Sequence, residues 1–401
     1  MPWKETSRME EKLQFVAECL REEEPMTVLC ARYGISRQTG YELRRRFLEE
    51  GADGLKERSR APQHSPQATP DSTAELLIQF RKQHPRWGVK KLLPILRKHH
   101  PEIVFPARST AGDILTRAGL IEGGRRRRRP IPVEKPFKAV ERPNDTWCID
   151  FKGWFRTRDG TRCDPLTVTD AFSRYLLSCK IMPERTEPVQ AGVDVLFGEY
   201  GLPLAIRSDN GAPFGGTGPA GLSRLSVHWL KLGLRLERIV PGKPQQNGQH
   251  ERMHKTLKAD TTKPPAETPD AQQRRFDEFR KSYNEERPHE ALDQTMPAEH
   301  YRPSPRTMPS RVPEPWYDAD HEVRRVRSNG EIKWRGDFFF ISEALIGEPI
   351  GIAETESGNF ITRFAGVDIG VIDLRSKNFR RFAPPRPGRK KVEDTPTVSE
   401  V

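Results

Sequence analysis

Three absences narrow what this 401-residue chain does. It contains no run of eighteen apolar residues, so no membrane-spanning helix is expected. Its opening stretch, MPWKETSRMEEKLQF, is charged from the fourth residue and has no apolar h-region, so no secretory signal is expected. Cysteine is scarce: Cys19, Cys30, Cys148, Cys163 and Cys179, an odd number with no C-x-x-C pair. That pattern argues against a disulfide framework and fits small buried residues in a reducing cytosol. Core material is lean as well, with 34% apolar against 31% charged residues. No internal repeat of solenoid length is visible.

What the chain does have is positive charge and proline. Sixty-eight Lys and Arg against 56 Asp and Glu leave a formal charge of +12. Such an excess suits a polyanionic partner, nucleic acid first, although a basic solvated surface would give the same total. Clustering favours nucleic acid. Three Pro- or Arg-rich breaks partition the sequence: ERSRAPQHSPQATPD, EGGRRRRRPIPVEKPFKAVERP and RPSPRTMPSRVPEPW. The expected organisation is a helical segment at 1–58, a linker at 59–71, a second helical segment at 72–121 and an Arg-rich linker at 122–143. An α/β segment follows at 144–302, then a Pro-rich linker at 303–316, a small β-barrel at 317–376 and a disordered tail at 377–401.

In the first segment, Met9, Leu13, Val16, Ala17 and Leu20 repeat at helical spacing. A second short helix then reaches a turn at Gly34, and Ser36 can cap a third helix rich in arginine. Helix, turn and capped basic helix describe a helix-turn-helix, whose last helix enters a DNA major groove. Arg37, Gln38 and Tyr41 would lie near its leading end, with Arg44 and Arg45 behind them as further DNA-binding candidates. An ordinary soluble three-helix bundle is the bland alternative. Residues 75–83, 89–98 and 109–118 repeat the theme more weakly, with Pro94 expected to kink or restart the middle helix. Directly after come Arg125, Arg126, Arg127, Arg128 and Arg129, whose simplest use is to track phosphates.

The third segment alternates strands and helices around a central sheet: TWCIDFKGWF and LTVTDAFSRYLLSCKIM as strands with a hairpin at Asp159-Gly160, then a helix ended by Gly201. LAIRSDNG and LRLERIVPG are further strands, and the helices NGQHERMHKTLKAD and RRFDEFRKSYNEERPHEAL close the segment. In the fourth, HEVRRVRSNGEIKWRGDFFFI predicts a strand pair around Asn329-Gly330. Three acids stand out. Asp150 lies inside an apolar strand, Asp209 ends another at SDNG, and Glu251 opens a helix after Asn247-Gly248. A carboxylate buried in a strand costs several kcal/mol unless it is paired or metal-bound. Oxygen ligands of this kind suit Mg²⁺ or Mn²⁺, and two such ions about 3.5–4 Å apart serve phosphoryl transfer. Asp170 competes as the second acid, or is a structural residue beside its strand. HERMH at 250–254 also matches the H-E-x-x-H of zinc proteases, but it begins only two residues into its helix and carries Arg252, Lys255 and Lys258. DNA suits that helix better than a peptide cleft. These three residues would hold a DNA end, with His250 and His254 facing phosphates or solvent.

WCIDFKG, IRSDNGAPF, PGKPQQNGQHERMHKTLK and YNEERPHEAL, in that order, resemble the catalytic core of insertion-sequence DDE transposases in the retroviral-integrase superfamily. LCARYGISRQTGYELRRRF, RSRAP and HPRWGVKKL resemble the helix-turn-helix units of the same enzymes. The resemblance implies a multidomain α/β protein: helix-turn-helix units, an RNase H-like core with a mixed five-stranded sheet, and a small C-terminal β-barrel. Asp150, Asp209 and Glu251 match the D, D and E. Intervals of 59 and 42 residues separate them, and the second is longer than usual in integrases because of GGTGPAGLSRLS at 215–226. The zinc-binding His/Cys domain of retroviral integrases has no counterpart here.

The resemblance further implies an enzyme that binds the terminal inverted repeats of an insertion sequence, frees a 3′-hydroxyl and joins it to target DNA. The trio would hold two Mg²⁺ or Mn²⁺ ions. The partners would be double-stranded DNA and further copies of the chain, as a dimer or larger synaptic complex, with no membrane. The setting would be a bacterial cytoplasm, at the nucleoid. The rivals are a catalytically inactive transposon-derived DNA-binding protein, a metal-dependent nuclease without strand transfer and, distantly, a zinc protease. The residues of the β-barrel do not choose between DNA and another subunit.

Overall fold

The computed structural model describes residues 7–58, 68–121, 137–240, 244–355 and 358–383. Two compact units divide the chain, Met1–Pro70 and Asp71–Val401.

Among its described residues the first unit has three α-helices, α1 (Arg8–Arg21), α2 (Met26–Arg32) and α3 (Arg37–Glu50), followed by a 3-10 turn at Gly51–Leu55. Each start has a local cause. Ser7 and Glu10 form a capping box on α1, and the Ser36 hydroxyl accepts the Thr39 N–H at 3.1 Å to open α3. Gly34 turns the chain between α2 and α3 at φ +66°. Phe15, Val16 and Cys19 of α1 meet Leu29 and Cys30 of α2 and Leu43 of α3 in one core. Gly40 sits where these helices cross: a β-carbon there would come within 2.5 Å of Cys30 Sγ and 3.0 Å of the Phe15 ring. Close approach explains a glycine inside a helix that its flexibility would otherwise weaken.

The second unit starts with three more helices, α4 (Asp71–Gln83), α5 (Val89–His99) and α6 (Arg108–Arg117), around Leu77, Leu92, Leu96 and Leu115. α5 runs through Pro94 without restarting. Next come β1 (Trp147–Phe151), a small hairpin of β2 (Phe155–Arg156) and β3 (Arg162–Cys163), then β4 (Pro165–Asp170) and β5 (Leu176–Ile181). The stretch TWCIDFKGWF is thus two strands, divided where Gly153 takes φ +82°. α7 (Thr186–Tyr200), β6 (Ala205–Ser208), α8 (Arg224–Lys231), β7 (Arg235–Arg238), α9 (Gly248–Thr261) and α10 (Pro269–Glu285) complete the α/β part.

Five strands form one mixed sheet in the order β5-β4-β1-β6-β7. β5, β4 and β1 are antiparallel neighbours, whereas β6 runs parallel to β1 and β7 parallel to β6. This is the RNase H-like arrangement. Trp147, Ile149, Leu166 and Val168 pack with Val193 and Phe197 of α7 and Trp229 of α8. A second cluster joins Leu176 and Cys179 of β5 to Met253 and Leu257 of α9 and Phe276 and Phe279 of α10. All five cysteines are buried and free, as small core residues should be.

The C-terminal strands are β8 (Glu322–Arg325), β9 (Glu331–Trp334), β10 (Asp337–Phe340), β11 (Pro349–Glu354), β12 (Phe360–Phe364), β13 (Val367–Asp373) and β14 (Asn378–Arg381). An antiparallel sheet runs β14-β13-β12-β11-β8, and β9 pairs β10 as a ribbon. Gly330 does occupy a turn, at φ +81°, but the strand pair expected around it does not form. β8 pairs β11, and the hairpin closes at Arg335-Gly336 instead. The ribbon's Ile332, Trp334 and Phe339 cover Ile350, Phe364 and Ile369 of the sheet, enclosing a core as a small barrel would. Ala220, Leu222, Val227 and Leu230 of the α/β part belong to the same core.

Phe276 is fully buried, edge-on to Phe155 at 6.2 Å, and supports the platform under α9. Phe276→Ala is expected to lower unfolding stability by about 3–5 kcal/mol. Urea titration should show a lower midpoint at an unchanged slope. A loss below about 1 kcal/mol would mean that α10 is not a structural base for α9.

Candidate active site

Asp150 is the fourth residue of β1, opposite Thr167 of β4, and only part of its side chain reaches solvent. Asp209 follows the last residue of β6, exposed at the sheet's edge. Glu251 projects from the first turn of α9, also exposed. These three acids, distant in sequence, converge. Asp150 is the most affected: burial pushes its carboxyl up to about 7, and the nearby Asp209 and Glu251 charges push the same way.

Two neighbours that the sequence reading did not single out set the geometry. Arg238 at the end of β7 is buried, and its guanidinium donates to Ser208 Oγ (2.8 Å), Asp209 O (3.2 Å) and Phe214 O (2.6 Å). It ties the Asp209 loop to the sheet, and burial pushes its own pKa down to about 10. An arginine inside the apolar strand LRLERIV was the available signal. The Gly211 N–H donates to Asp209 Oδ1 at 3.1 Å, which orients the carboxylate itself.

The second neighbour is a hydroxyl clamp beneath Glu251. Against expectation, His250 and His254 do not face solvent; they are 1% and 7% exposed, and His254 has an edge on the cavity beside Glu251. Their helix face, shared with Met253, Leu257 and Thr261, packs on the sheet. Thr167 Oγ1 lies 2.7 Å from His250 Nε2 and 2.6 Å from His254 Nε2, and donates to the Asp150 carbonyl at 3.1 Å. Because a hydroxyl has one proton, it accepts from both rings. With the Thr167 proton on the Asp150 carbonyl, this geometry pairs with Nε2–H on both imidazoles and with His250 Nδ1 accepting from Thr169 Oγ1 at 2.8 Å. Both His250 nitrogens meet hydroxyls, and ligand atoms of His250, His254 and Asp150 lie within 4.8 Å of one another, so this cluster and the all-carboxylate trio share Asp150. His254 Nδ1 faces Asp150 Oδ2 at 3.9 Å. Burial pushes the two histidines down to about 3 and about 2, so both are neutral at physiological pH.

Asp170 is not part of the trio. Fully buried, it accepts from Asn144 N (2.8 Å), Ser173 N (2.7 Å) and Ser173 Oγ (2.7 Å), and so anchors a turn. Glu251, Lys255 and Lys258 share the exposed side of α9 at helical spacing. With Lys152, Lys263 and His254 they line a cavity of about 460 Å³. Lys152 and Lys263 were not anticipated. Arg252 is exposed, its Nε donating to Gly248 O at 3.1 Å. In the other unit Arg37, Gln38 and Tyr41 are exposed at the leading end of α3. Arg45 instead pairs with Glu42 and Glu49 at 2.8 Å each, and Arg44 with Glu22 at 3.1 Å. Arg125, Arg126, Arg127, Arg128 and Arg129 lie outside the described residues.

Comparison with known proteins bears on the domains that carry this site. Residues 140–244 and 232–297 match two integrase core domain families. Residues 11–63 match a helix-turn-helix domain, 39–115 a homeodomain-like domain and 321–380 the C-terminal domain of IS481 family transposases. The insertion element IS476 uncharacterized 39.2 kDa protein of Xanthomonas euvesicatoria is 28% identical over 254 residues, 59% of this chain and 67% of that one. The insertion element IS407 uncharacterized 31.7 kDa protein of Burkholderia multivorans is 28% identical over 240 residues, 58% of this chain and 83% of that one. The HTLV-2 integrase catalytic core domain in complex with magnesium overlays 40% of this chain and 98% of its own at 16% identity and a TM-score of 0.32.

The buried histidines make stability depend on pH. Unfolded, they take up protons as pH falls through about 6.5; folded, they stay neutral to about 3 and 2. Their contribution is therefore whole above about pH 6.5 and falls on acidification by about 1.4 kcal/mol per histidine per pH unit. Asp150, with its raised pKa, acts in the opposite sense, so a difference is the cleaner readout. The stability gap between wild type and His250→Gln is expected to shrink by about 1.4 kcal/mol from pH 7.5 to 5.5 in urea titrations. An unchanged gap would mean that His250 takes up its proton in the folded protein.

Proposed function

We propose, for a chain that belongs to the insertion-sequence DDE transposases of the retroviral-integrase superfamily, that Asp150, Asp209 and Glu251 catalyse phosphoryl transfer on DNA. The observation that carries this reading is the convergence of three carboxylates from β1, the end of β6 and the first turn of α9, near enough that Asp209 and Glu251 both raise the pKa of the half-buried Asp150. Three crowded carboxylates repel one another, and a divalent cation removes that repulsion. The donor set is all oxygen, which fits two Mg²⁺ or Mn²⁺ ions. Bound there, such ions would acidify the attacking hydroxyl and stabilise the leaving oxygen.

The chain's own residues do the rest. The Thr167 clamp and Arg238 fix the Glu251 and Asp209 backbones relative to β1, so the trio is preorganised rather than assembled on binding. Lys152, Lys255, Lys258 and Lys263 offer ammonium groups to phosphates beside Glu251, with Arg252 on the same helix. Arg37, Gln38 and Tyr41 read the major groove of a terminal inverted repeat, and Arg125 to Arg129 follow its backbone. Water first attacks a phosphodiester at the element's end, forming one P–O bond as the bond to the 3′-oxygen breaks. The freed 3′-hydroxyl then attacks target DNA in the same way, one P–O bond replacing another, so no high-energy cofactor is needed. Joining two ends in concert implies a dimer or larger assembly.

With Mg²⁺ and a labelled duplex carrying the terminal repeat, wild type is expected to nick at the repeat end and join the product to target. Asp150→Asn and Glu251→Gln should each lose both reactions while binding the end within about two-fold of wild type. Joining by Asp150→Asn would sink the carboxylate assignment. Binding without nicking by any of the proteins would favour the transposon-derived DNA-binding alternative. Binding of the same duplex should also weaken steeply between 50 and 200 mM salt, by about 10³-fold or more if six or more phosphates are contacted. A flat salt dependence would remove the phosphate-tracking role of the basic residues.

A further inference from the structure

The C-terminal strands carry an anomaly. β10 reads DFFF, and only the middle phenylalanine faces the core. Phe339 is buried, whereas Phe338 and Phe340 on the other face are 50% and 55% exposed. Two large rings left in water on one short strand need a reason, because neighbouring exposed apolar groups mark an interaction surface.

Their surroundings name the partner's chemistry. Phe338 and Phe340 border a groove of about 780 Å³ whose far wall is the Gly-rich insertion, residues 216–219 with Leu222 to Arg224. Wall and floor are joined: Arg381 Nη1 donates to Thr217 O at 2.9 Å, and Ala220 N donates to Phe382 O at 2.8 Å. Glycine composition follows from this fit. A β-carbon on Gly218 would come within 2.9 Å of Leu222 O and 3.1 Å of Ser342 Oγ, and one on Gly216 within 2.7 Å of Leu222 O. Cations stand in the groove lining and beside the Phe338 ring. Arg327 and Lys333 lie over the Phe338 ring at 5.3 and 5.8 Å, and Arg224 and Arg381 stand at the opposite side. None of these four has an ion-pair partner among the described residues, while Lys377 is balanced by Asp337 at 2.8 Å and Glu343 is the remaining acid of the lining.

We propose that this groove binds single-stranded DNA, with Phe338 and Phe340 stacking on unpaired bases and Arg224, Arg327, Lys333 and Arg381 on its phosphates. Excess positive charge selects a polyanion, and exposed aromatic faces select bases that are not already stacked in a duplex. The spacing agrees: residues i and i+2 of a strand are about 6.6 Å apart, suited to splayed bases rather than a closed stack. The groove wall begins seven residues beyond Asp209, so a strand held here lies on the continuation of the active-site loop. The inference rests on the transposase reading for its biological setting, but its chemistry is testable without catalysis.

The test is fluorescence anisotropy without divalent metal, using a labelled 16-nucleotide oligo(dT) and, separately, the terminal-repeat duplex. The proteins are wild type and a Phe338→Ala, Phe340→Ala double variant, which changes only exposed side chains. The double variant is expected to bind oligo(dT) at least ten-fold more weakly and the duplex within two-fold of wild type. Arg224→Ala should flatten the salt dependence of oligo(dT) binding by somewhat less than one unit of log–log slope. Equal oligo(dT) affinity in wild type and double variant would overturn the proposal. So would self-association of wild type that the double variant loses in sedimentation velocity, since a second copy would then be the occupant. Failure of wild type to bind either DNA would instead count against the transposase reading itself.

Discussion

The site depends on one constraint: a short helix must lie with a fixed rotation on a sheet, so that one acid on its outer side meets two acids of the strands. Packing alone supplies part of this, through Met253 and Leu257 against β5 and α10. Apolar contact tolerates small rotations, whereas hydrogen bonds do not. The Thr167 hydroxyl, bonded at once to two rings on α9 and to the Asp150 carbonyl, removes that freedom. The strand of Asp150 and the helix of Glu251 are thereby linked through a single atom.

Holding three acids together is electrostatically unfavourable, and the surrounding fold shows how it is tolerated. Arg238 brings a buried positive charge behind Asp209 without occupying its carboxylate oxygens, since its bonds run to Ser208 Oγ and to backbone carbonyls. Lysines line the cavity beside Glu251; Lys152 offsets part of the repulsion at Asp150, and among the described residues no lysine is ion-paired to the trio. The histidines contribute no charge at all, because burial keeps them neutral. A charged pair in their place would compete with any bound cation.

The Gly-rich insertion changes the relation between the α/β part and the C-terminal strands. Leu222, Val227 and Leu230 enter the hydrophobic core of the C-terminal sheet, so the two parts share buried side chains. Asp209 therefore sits on a loop whose far end is anchored in the C-terminal core. The groove wall beside Phe338 and Asp209 thus belong to one short covalent segment.

Much of this was legible from local chemistry alone. The Ser36 cap, the turns at Gly160 and Gly201, and the order of Asp150, Asp209 and Glu251 depend on residues adjacent in the chain, and a linear reading reaches them. The inward face of α9 was legible too: His250, Met253, His254, Leu257 and Thr261 recur at helical spacing. It was missed because histidine is polar by composition and becomes a core residue only when hydroxyls meet its nitrogens. Those hydroxyls stand on β4, more than eighty residues away. The pairing of β8 with β11 and the inward turn of Arg238 were decided in the same way. So were the seat of the insertion on the C-terminal sheet and the structural role of Asp170. Each depends on a partner remote in sequence. Sequence by itself determined which groups the chain carries and where its helices and turns begin. Only the tertiary structure decided which of those groups face one another, because burial and hydrogen bonding belong to pairs of residues, not to either one alone.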